Sequence, residues 1–494
     1  MSENPTAFGG VKPSLRQEKW RIFILSALLI TPCLWHRHIE AGDLASHTYN
    51  AWLAELIGRG QAPGLYIVRQ WNNVLFDVAL SGFGKLAGLA AAEKIVVSGC
   101  VLIFFWGVFA VVSAMARRPA WNLAPCIAIL AYGYTFHMGF LNYYLSIGLA
   151  CFCLAFAARG RGVDWLVAAA LLPVAFLGHP IGFLWALGTI GYVALWKTLG
   201  PKWRLLIPAA AVSCFCFIRW YLAHHAQFEA DWPEQPFYTF NGADQLILFG
   251  NRYRVLCWSA LAWGFICFAS EAFPRRRERE FWKPLRLILE LYFVAFCATS
   301  LLPENVHPSW YAGWIGLLVS RLTTISAIFG LCAMGLLRPR KWQLAGFAVY
   351  AAFFFVFLYQ DTGDLDRMEG HAEQLLTGLP PGTRVIGIIE APDESRLEFV
   401  HHMIDRACIG RCFSYANYEP SSEQFRIRVR AGSPVVTASN DGSEAMQGGT
   451  YVARREDLPL KVIFQCDDDD PTKLCLRDAR EGEKTGQPAG SPGP

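Results

Sequence analysis

The sequence predicts a polytopic α-helical membrane protein of about eleven spanning helices, followed by a small α/β domain. Residues 1–360 contain 29 basic and 17 acidic side chains, or about 13% of that part, against about 25% in typical soluble proteins. Residues 361–494 contain 15 basic and 23 acidic side chains, or about 28%. Long apolar segments recur in the first part only. These patterns exclude a soluble globular protein, a disordered chain and a disulfide-framework toxin.

Eleven segments are long and apolar enough to be spanning helices, which need about 20 mostly apolar residues. One further apolar stretch, 72–90, contains Asp77, Lys85 and several glycines, so composition alone leaves it ambiguous. The eleven predicted spans are 21–37, 92–116, 121–138, 140–158, 164–179, 181–197, 204–223, 253–273, 285–303, 312–337 and 342–359.

The charges of the loops resolve the ambiguous stretch. If 72–90 does not span, five basic clusters fall on the side of the N-terminus, and the opposite loops near 137–142, 178–181 and 303–311 carry no Lys or Arg. The positive-inside rule makes the basic side cytoplasmic, so 72–90 is predicted to lie along the membrane. The clusters are Arg117–Arg118, Arg159/Arg161, Lys197/Lys202/Arg204, Arg275–Arg276–Arg277 with Arg279 and Lys283, and Arg338/Arg340/Lys341.

The first apolar run is predicted to be an uncleaved first membrane-spanning helix. Basic residues precede Ile22–Trp35, as in a signal sequence, but no small-x-small cleavage site follows. The protein is therefore predicted to be a multi-pass protein of a bacterial-type inner membrane, with a cytoplasmic N-terminus and an extracytoplasmic C-terminal domain. The predicted parts are a cytoplasmic N-terminus (1–20), a membrane part (21–359) with outer loops 36–91 and 224–252, an outer domain (360–466) and a disordered tail (467–494).

The predicted outer domain has an α/β pattern. GTRVIGIIEAP, FRIRVR, PVVTAS and LKVIFQC predict strands, and SRLEFVHHMIDRA predicts a helix that carries His401, His402 and Asp405 on a solvated face. Four of the 15 cysteines lie in this domain, and an even number in an exported domain indicates two disulfides. Local pairing is the simplest of three connectivities, and a zinc site built on the C-x₃-C spacing is the alternative. The locally paired cysteines are Cys408 with Cys412 and Cys466 with Cys475.

The first outer loop contains the main candidates for chemistry. Its period predicts a helix from Leu44 to Gly58 that rests on the membrane surface, with Asp43, His47 and Asn50 on a polar face. Asp43 is either the N-cap of this helix or a catalytic carboxylate, and His47 is either functional or a solvated surface residue. Glu40 lies about one turn of chain earlier.

This arrangement resembles the GT-C superfamily of integral-membrane glycosyltransferases, which use lipid-linked sugar donors. The resemblance covers most of 1–360: a cytoplasmic N-terminus, a first helix, an acidic outer loop with juxtamembrane helices, and a soluble domain after the last span. It implies that Glu40 and Asp43 match the acidic pair of the family's first outer loop. A second acidic residue, often found after the third helix in the family, is absent, and His137 and Asn142 stand there instead.

The chemistry that the resemblance implies assigns roles to further polar residues. Asp43 would be the general base for the acceptor hydroxyl, and the departing lipid phosphate would need cations. Arg321 lies inside an apolar helix, where such residues usually face a cavity or an acidic partner such as Glu304 or Glu290. Any of the outer polar groups could instead hold a divalent ion, which the sequence does not require. The remaining candidates for substrate or phosphate binding are Arg252, Arg254, His137, Asn142, His179, Glu304 and His307.

The leading hypothesis is therefore a glycosyltransferase that moves a sugar from a polyprenyl-phosphate donor to an acceptor on the outer membrane face. Its predicted partners are the lipid bilayer, the lipid-linked sugar and an acceptor that the sequence does not identify. The net charge of +4 comes from loop arginines and gives no reason to expect nucleic acid. The alternative is a non-enzymatic transporter, flippase or assembly subunit for lipid-linked saccharides, although the internal repeats common in transporters are not evident.

Overall fold

A computed structural model describes residues 15–232, 241–311, 314–391, 394–397, 399–467 and 469–486. Parts of the predicted N-terminus, second outer loop and tail (1–14, 233–240 and 487–494) lie outside the described residues. In chain order the elements up to the last long helix are α1 (Leu15–Ile30), α2 (Leu44–Gly58), β1 (Leu65–Ile67), α3 (Leu75–Ala87), α4 (Leu89–Ala116), α5 (Ala124–Ala131), α6 (Tyr134–His137), α7 (Leu141–Arg159), α8 (Gly162–Gly178), α9 (Pro180–Thr198), α10 (Leu206–His224), β2 (Phe228–Asp231), α11 (Asn251–Ala272), α12 (Arg279–Leu301), β3 (Asn305–Pro308), α13 (Leu318–Gly335) and α14 (Lys341–Leu376).

The protein is a helical membrane protein. Within the described residues, seven helices are long and apolar enough to cross a bilayer: α4, α7, α10, α11, α12, α13 and α14. Each lies on one of the eleven predicted spans. The predicted spans at 21–37, 164–179 and 181–197 correspond to α1, α8 and α9, which are shorter or less apolar.

The predicted span at 121–138 is wrong as a single helix. It is broken into a short turn of helix at Trp121–Leu123, α5 and α6. The break follows from a partner far away in sequence, because the side chain of Gln245 accepts hydrogen bonds from the backbone N and the Oγ1 of Thr135 (3.1 and 3.0 Å). Those bonds take the place of the intrahelical ladder, which no local pattern reveals.

The ambiguous stretch 72–90 forms α3, which has 13 residues and is about 20 Å long. That length is short of a hydrocarbon core of about 30 Å, in agreement with the prediction that 72–90 does not span. With this connectivity the five basic clusters fall at one end of the bundle, which we call the basic end. Direct contacts support the grouping, since Arg118 donates hydrogen bonds to the carbonyl oxygens of Gly335 (3.1 Å) and Leu337.

The last long helix, α14, continues well beyond the predicted end of the span at residue 359. It has 36 residues and is about 54 Å long, so its last four or five turns extend past any bilayer core. The helix therefore continues across the predicted domain boundary at 360, and the membrane part and the domain share one continuous helix. Its projecting part carries Glu369, which is fully buried.

The elements of the C-terminal domain are β4 (Arg384–Ile388), α15 (Met403–Ala407), β5 (Phe413–Ser414), β6 (Ile427–Val429), α16 (Asn440–Gln447), β7 (Leu460–Gln465) and β8 (Leu474–Asp478). The domain contains a four-stranded sheet in the order β5–β4–β7–β8, in which β4 runs parallel to β5 and β7 while β8 is antiparallel to β7. Disulfides join Cys408 to Cys412 and Cys466 to Cys475, the local pairing of the three connectivities.

Three predictions for the domain need correction. The helix predicted at 395–407 is reduced to a 3₁₀ turn at Phe399–His402 and the short α15, and 434–439 forms bends and no strand. Disorder from residue 467 is wrong over β8, because this polar segment pairs its backbone with β7 and is tied by the second disulfide. The prediction of disorder rested on the polar composition of the segment. An edge strand can be polar, because it is held by backbone hydrogen bonds to its neighbour.

The domain packs against the first outer loop through a backbone pairing and a buried helix. Strand β1 of the loop pairs antiparallel with β6 of the domain. Helix α2 has the predicted bounds, but the prediction that it rests on the membrane surface is wrong: every residue from Leu44 to Ala51 is buried. The helix lies between the bundle and the domain, so its polar face meets protein groups.

Candidate functional site

Asp43 is positioned by a close approach of two backbone segments. A Cβ at Gly42 would lie 2.6 Å from the carbonyl oxygen of Met138, and a Cβ at Gly139 would lie 2.4 Å from the backbone N of Asp43. Gly139 also has φ +79°, a conformation that favours glycine. The backbone N of Asp43 donates to the Met138 carbonyl (3.2 Å). Substitution of either glycine would therefore move Asp43.

The side chain of Asp43 does not cap α2, so the N-cap interpretation is wrong. It makes no hydrogen bond to the backbone of the helix it precedes. Its Oδ1 instead accepts a hydrogen bond from the hydroxyl of Tyr418 (3.3 Å) and lies 3.5 Å from Nε2 of His402. The carboxylate therefore faces the C-terminal domain, and 13% of its side chain is exposed.

His402 was predicted to be solvated, and this is wrong because the domain buries it against Asp43. It is 2% exposed, and Asp405, which shares the incorrect prediction, is 3% exposed. The Nδ1 of His402 lies 3.1 Å from Asp405 Oδ2, while Asp405 Oδ1 accepts from the hydroxyl of Ser414. Burial lowers the pKa of His402, but the hydrogen bond and charge of Asp405 and the charge of Asp43 raise the pKa above its ordinary value.

His47 is buried beside two carboxylates, which excludes the solvated alternative. Its Nδ1 donates to Asp77 Oδ1 (2.8 Å) and lies 3.5 Å from Glu419 Oε1. Burial opposes the charge, yet Asp77 and Glu419 raise the pKa of His47 to about 10. Asp77 is held in turn by Asn142, whose Nδ2 donates to Asp77 Oδ2 (2.8 Å) and whose Oδ1 accepts from the backbone N of Phe76 (2.8 Å). Asn142 thus orients a carboxylate at the start of α3.

Glu419 completes the group from the domain side. Its Oε1 accepts a hydrogen bond from the Ser46 hydroxyl (3.2 Å), and the residue is 2% exposed. Burial, with the charges of Asp77 and Asp43, raises the pKa of Glu419 to about 7, although His47 opposes the shift. We call Asp43, His47, Asp77, His402 and Glu419 the Asp43 site.

Arg321 supplies a further positive charge beside the Asp43 site. It lies in the first turn of α13, which begins at Leu318, so the prediction that it lies inside the helix is corrected to a position at the helix end. Its guanidinium lies over the ring of Phe140 (4.2 Å), and it interacts electrostatically with Asp43. The Nε of Arg321 is buried without a hydrogen-bond partner among the described residues. That donor is available to an anion.

Glu40 does not join Asp43, so the predicted acidic pair is separated. Arg406 of α15 makes two bonds to Glu369 (2.7 and 2.6 Å), one to Glu93 (2.8 Å), and lies 3.6 Å from Glu40. Burial and the charge of Glu369 raise the pKa of Glu40 well above its ordinary value. We call Arg406, Glu369, Glu93 and Glu40 the Arg406 cluster.

Two members of the Arg406 cluster, Glu40 and Glu369, form with His38 a group of described residues with metal-ligand spacing. Ligand atoms of His38, Glu40 and Glu369 lie within 4.8 Å of one another. Arg406 is bonded to Glu369, and His38 Nδ1 is bonded to Asp366 (2.9 Å), whereas Oε1 of Glu40 has no hydrogen-bond partner among the described residues. The three side chains are of the types that bind divalent ions, but two of them already have protein partners.

The other predicted binding residues divide by position. His137 lines a cavity of about 20 Å³ with Glu40 and Arg406, enough for about one water molecule, and its Nε2 has no partner among the described residues. His179 caps α9 by accepting from the backbone N of Ile181 (3.2 Å), and interacts electrostatically with Arg321.

Three candidates have structural partners elsewhere. Glu304 caps α13, accepting from the backbone N of Val319 (2.8 Å) and Ser320 (3.1 Å), so its role in the described residues is structural. His307 stacks on Trp314 (5.2 Å between ring centroids) in the β2–β3 ribbon. Arg252 pairs with Asp361 of α14.

Arg254 is exposed and donates to Asn251 (3.3 Å). Among the described residues, the hydrogen-bond and ring partners of Arg252, Arg254 and His307 lie outside the Asp43 site. The phosphate roles predicted for these two arginines therefore gain no support from position.

Sequence reasoning missed Asp77, His402, Tyr418 and Glu419. Asp77 was visible as a charge in an apolar stretch, and its isolation was the one usable signal. The residues of the C-terminal domain gave no such signal, because Tyr418 and His402 lie more than 350 residues from Asp43 in the sequence. Comparison with family models, curated proteins and solved structures finds no match to this chain.

Proposed function

We propose that this protein is an integral-membrane glycosyltransferase that moves a sugar from a polyprenyl-phosphate donor to an acceptor hydroxyl. The observation that carries the proposal is the orientation of Asp43. Its carboxylate is not used to cap α2, and it interacts electrostatically with Arg321 where the bundle meets the domain. A base next to a cation with an unused donor is the pair that this transfer needs.

The reaction assigns one role to each of these two groups. The acceptor oxygen forms a bond to the anomeric carbon while its proton passes to the carboxylate of Asp43. The bond between the anomeric carbon and the phosphate oxygen breaks, and its electron pair leaves with the lipid phosphate. Arg321 stabilises the charge on that phosphate through its guanidinium.

The neighbours of Asp43 hold its carboxylate in place. Tyr418 donates one hydrogen bond to the carboxylate, and His402, held by Asp405, lies 3.5 Å away. His402 is a positioning residue in this scheme, because it acts through Asp43.

The membrane location follows the same proposal. A polyprenyl-phosphate donor stays in the bilayer, so the scissile bond must lie at the boundary where the domain meets the bundle. Two disulfides fit a domain in an oxidising compartment, and the basic end fits the cytoplasmic side of a bacterial-type inner membrane. A divalent ion has no part in the proposed step.

The test uses the full chain in proteoliposomes with radiolabelled hexoses and pentoses on short-chain polyprenyl phosphates. Wild type should release free polyprenyl phosphate from one member of the panel. Asp43→Asn keeps an acceptor oxygen for Tyr418, so its folding should stay within about 1 kcal/mol of wild type. Its release of polyprenyl phosphate should fall by on the order of 10²–10⁴-fold because the base is lost.

Glu55→Gln is the matched control, since Glu55 lies on the same helix and pairs with Arg59 at the exposed end. It should leave transfer unchanged. Wild-type transfer by Asp43→Asn would exclude the base role. If wild type binds the lipid-linked sugars and never releases free polyprenyl phosphate, the protein is a transporter or assembly subunit.

A further inference from the structure

A large cleft lies at the basic end of the bundle, away from the Asp43 site. A cleft of about 1120 Å³ opens between the end of α9, the loop into α10 and the first half of α12. Its volume matches that of ordinary small-molecule sites, which hold about 300–1,000 Å³. The cleft is lined on one wall by Trp196, Arg204 and Leu205 and on the other by residues of α12.

The wall formed by α12 changes character along its length. Arg279, Lys283 and Arg286 line the cleft in the first two turns, and Leu289 and Phe293 line it in the turns that follow. These positions recur at intervals of three or four residues, so they share one face of the helix. The cations, with Glu280 beside them, therefore line the part of the cleft nearest the basic end, which we call its mouth, and the apolar side chains lie further along α12, over roughly 20 Å.

Two of the cations lack protein partners. Arg286 is paired with Glu290 (2.7 Å), which also accepts hydrogen bonds from Tyr192 (3.2 Å) and Trp196 (3.0 Å). The side chains of Arg279 and Lys283 make no hydrogen bond or ion pair with any described residue. Arg204 lies over the ring of Trp196 (3.9 Å), which holds a third cation at the cleft.

The apolar part of the cleft is also unoccupied by protein. Leu205, Leu289 and Phe293 are 61%, 38% and 52% exposed. In a helical membrane protein such side chains face hydrocarbon, because the bilayer is their solvent. A soluble phosphate would use the mouth alone and leave these walls unfilled.

We propose that this cleft binds an anionic phospholipid of the surrounding bilayer. The phosphate lies at Arg279 and Lys283, and the acyl chains lie along Leu289 and Phe293. Charge complementarity selects the headgroup, and the order of cations and apolar residues along α12 matches the order of phosphate and chains in a lipid. This site is independent of the proposed transfer reaction.

The test measures lipid binding to the full-length protein in detergent by native mass spectrometry. Phosphatidylglycerol and phosphatidylcholine with the same acyl chains are added after delipidation, and glycerol 3-phosphate tests the headgroup alone. Wild type should prefer phosphatidylglycerol and should not bind glycerol 3-phosphate at the same concentration. Arg279→Gln/Lys283→Gln should lower the preference by on the order of 10- to 30-fold, at roughly fivefold for each cation.

Arg338→Gln/Lys341→Gln is the matched control, because it removes two exposed cations from the same end of the bundle outside the cleft. It should retain the preference for phosphatidylglycerol. Equal preference in both double variants and wild type would overturn the proposal. So would equal binding of phosphatidylcholine by wild type, or binding of glycerol 3-phosphate as tight as that of the lipid.

Discussion

The Arg406 cluster and the Asp43 site are two groups of buried charges at the same junction of bundle and domain, and they are built differently. Arg406 is bonded to Glu369 and Glu93 at 2.6–2.8 Å, with both guanidinium edges used. Around Asp43 the corresponding distances are 3.3 Å to Tyr418 and 3.5 Å to His402. In the first group the cation is satisfied by protein, although Oε1 of Glu40 has no hydrogen-bond partner among the described residues. In the second group the carboxylate of Asp43 is held only by these longer contacts.

The difference separates a structural role from a chemical one. A buried charge with complete partners holds its neighbours in one arrangement, and removal of one partner strands the others. A buried carboxylate with loose partners, beside a guanidinium whose Nε is unused, can exchange a proton or bind an anion. Substitutions in the two groups should therefore affect different measurements.

The largest expected effect is a loss of stability from Arg406→Gln. It leaves Glu369 and Glu93 buried without their cation, which should lower the free energy of unfolding by about 3–5 kcal/mol. Thermal unfolding of the purified protein followed by the domain's near-ultraviolet signal measures this. Arg411→Gln, on a partly exposed pair with Glu373 (3.5 Å), should cost less than about 1 kcal/mol. A wild-type melting temperature for Arg406→Gln would contradict the structural role.

The second largest expected effect is a loss of transfer rate in Arg321→Gln. Arg321→Gln removes the cation proposed to bind the departing phosphate, so transfer should fall by about 10²–10³-fold. Arg321→Lys should recover part of the rate, since lysine restores a point charge without the guanidinium fork.

The matched control for this rate is Arg367→Gln, which removes an exposed arginine paired with Asp364 on α14. Its transfer rate should equal that of wild type. If Arg321→Gln loses transfer only because it unfolds, its melting temperature will fall with the rate, and the contrast between the two groups fails.

The smallest effect is the pH dependence contributed by Glu419. Its pKa is raised to about 7 in the folded protein, mainly by burial, from an ordinary value of 4.5. The folded state therefore holds the proton more tightly, and stability present below pH 4.5 is lost as the pH rises through 7. The loss for one such group is at most about 1.4 kcal/mol for each pH unit in that window.

Melting temperatures between pH 4.5 and 7 should fall more steeply for wild type than for Glu419→Gln, which cannot ionise. His47 contributes in a separate window: its raised pKa means that its stabilisation is lost between pH 6.5 and about 10. Glu444→Gln, on the surface helix α16, should keep the wild-type slope. Parallel slopes for wild type and Glu419→Gln would show that Glu419 does not titrate in this range.

Local patterns predicted the bounds of α2 correctly because their causes are local: an apolar stripe and the glycines after Leu56 define this helix. The local composition of 72–90 was ambiguous, and the distribution of basic loops along the chain predicted that it does not span. The local pattern failed at 121–138, where hydropathy favours one helix. There the side chain of Gln245 replaces part of the backbone ladder.

The candidate site was predicted in part. The sequence predicted Asp43, His47 and Arg321 as site residues, and in the structure both His47 and Arg321 interact electrostatically with Asp43. Glu40 was assigned to the wrong group, because sequence proximity to Asp43 says nothing about which way each side chain points. His402 and Asp405 were predicted to be solvated because the sequence of their helix does not show which surface it packs against.

The sequence by itself determined that the chain is a helical membrane protein, which parts are apolar and where its basic loops lie. Those properties follow from composition over windows of about 20 residues, since a bilayer demands internal backbone bonding along each span. The tertiary structure alone decided that Tyr418 and His402 meet Asp43 while Arg406 meets Glu93. These pairs are more than 300 residues apart, and their charges interact only because docking of the domain brings them together and removes the water that would screen them.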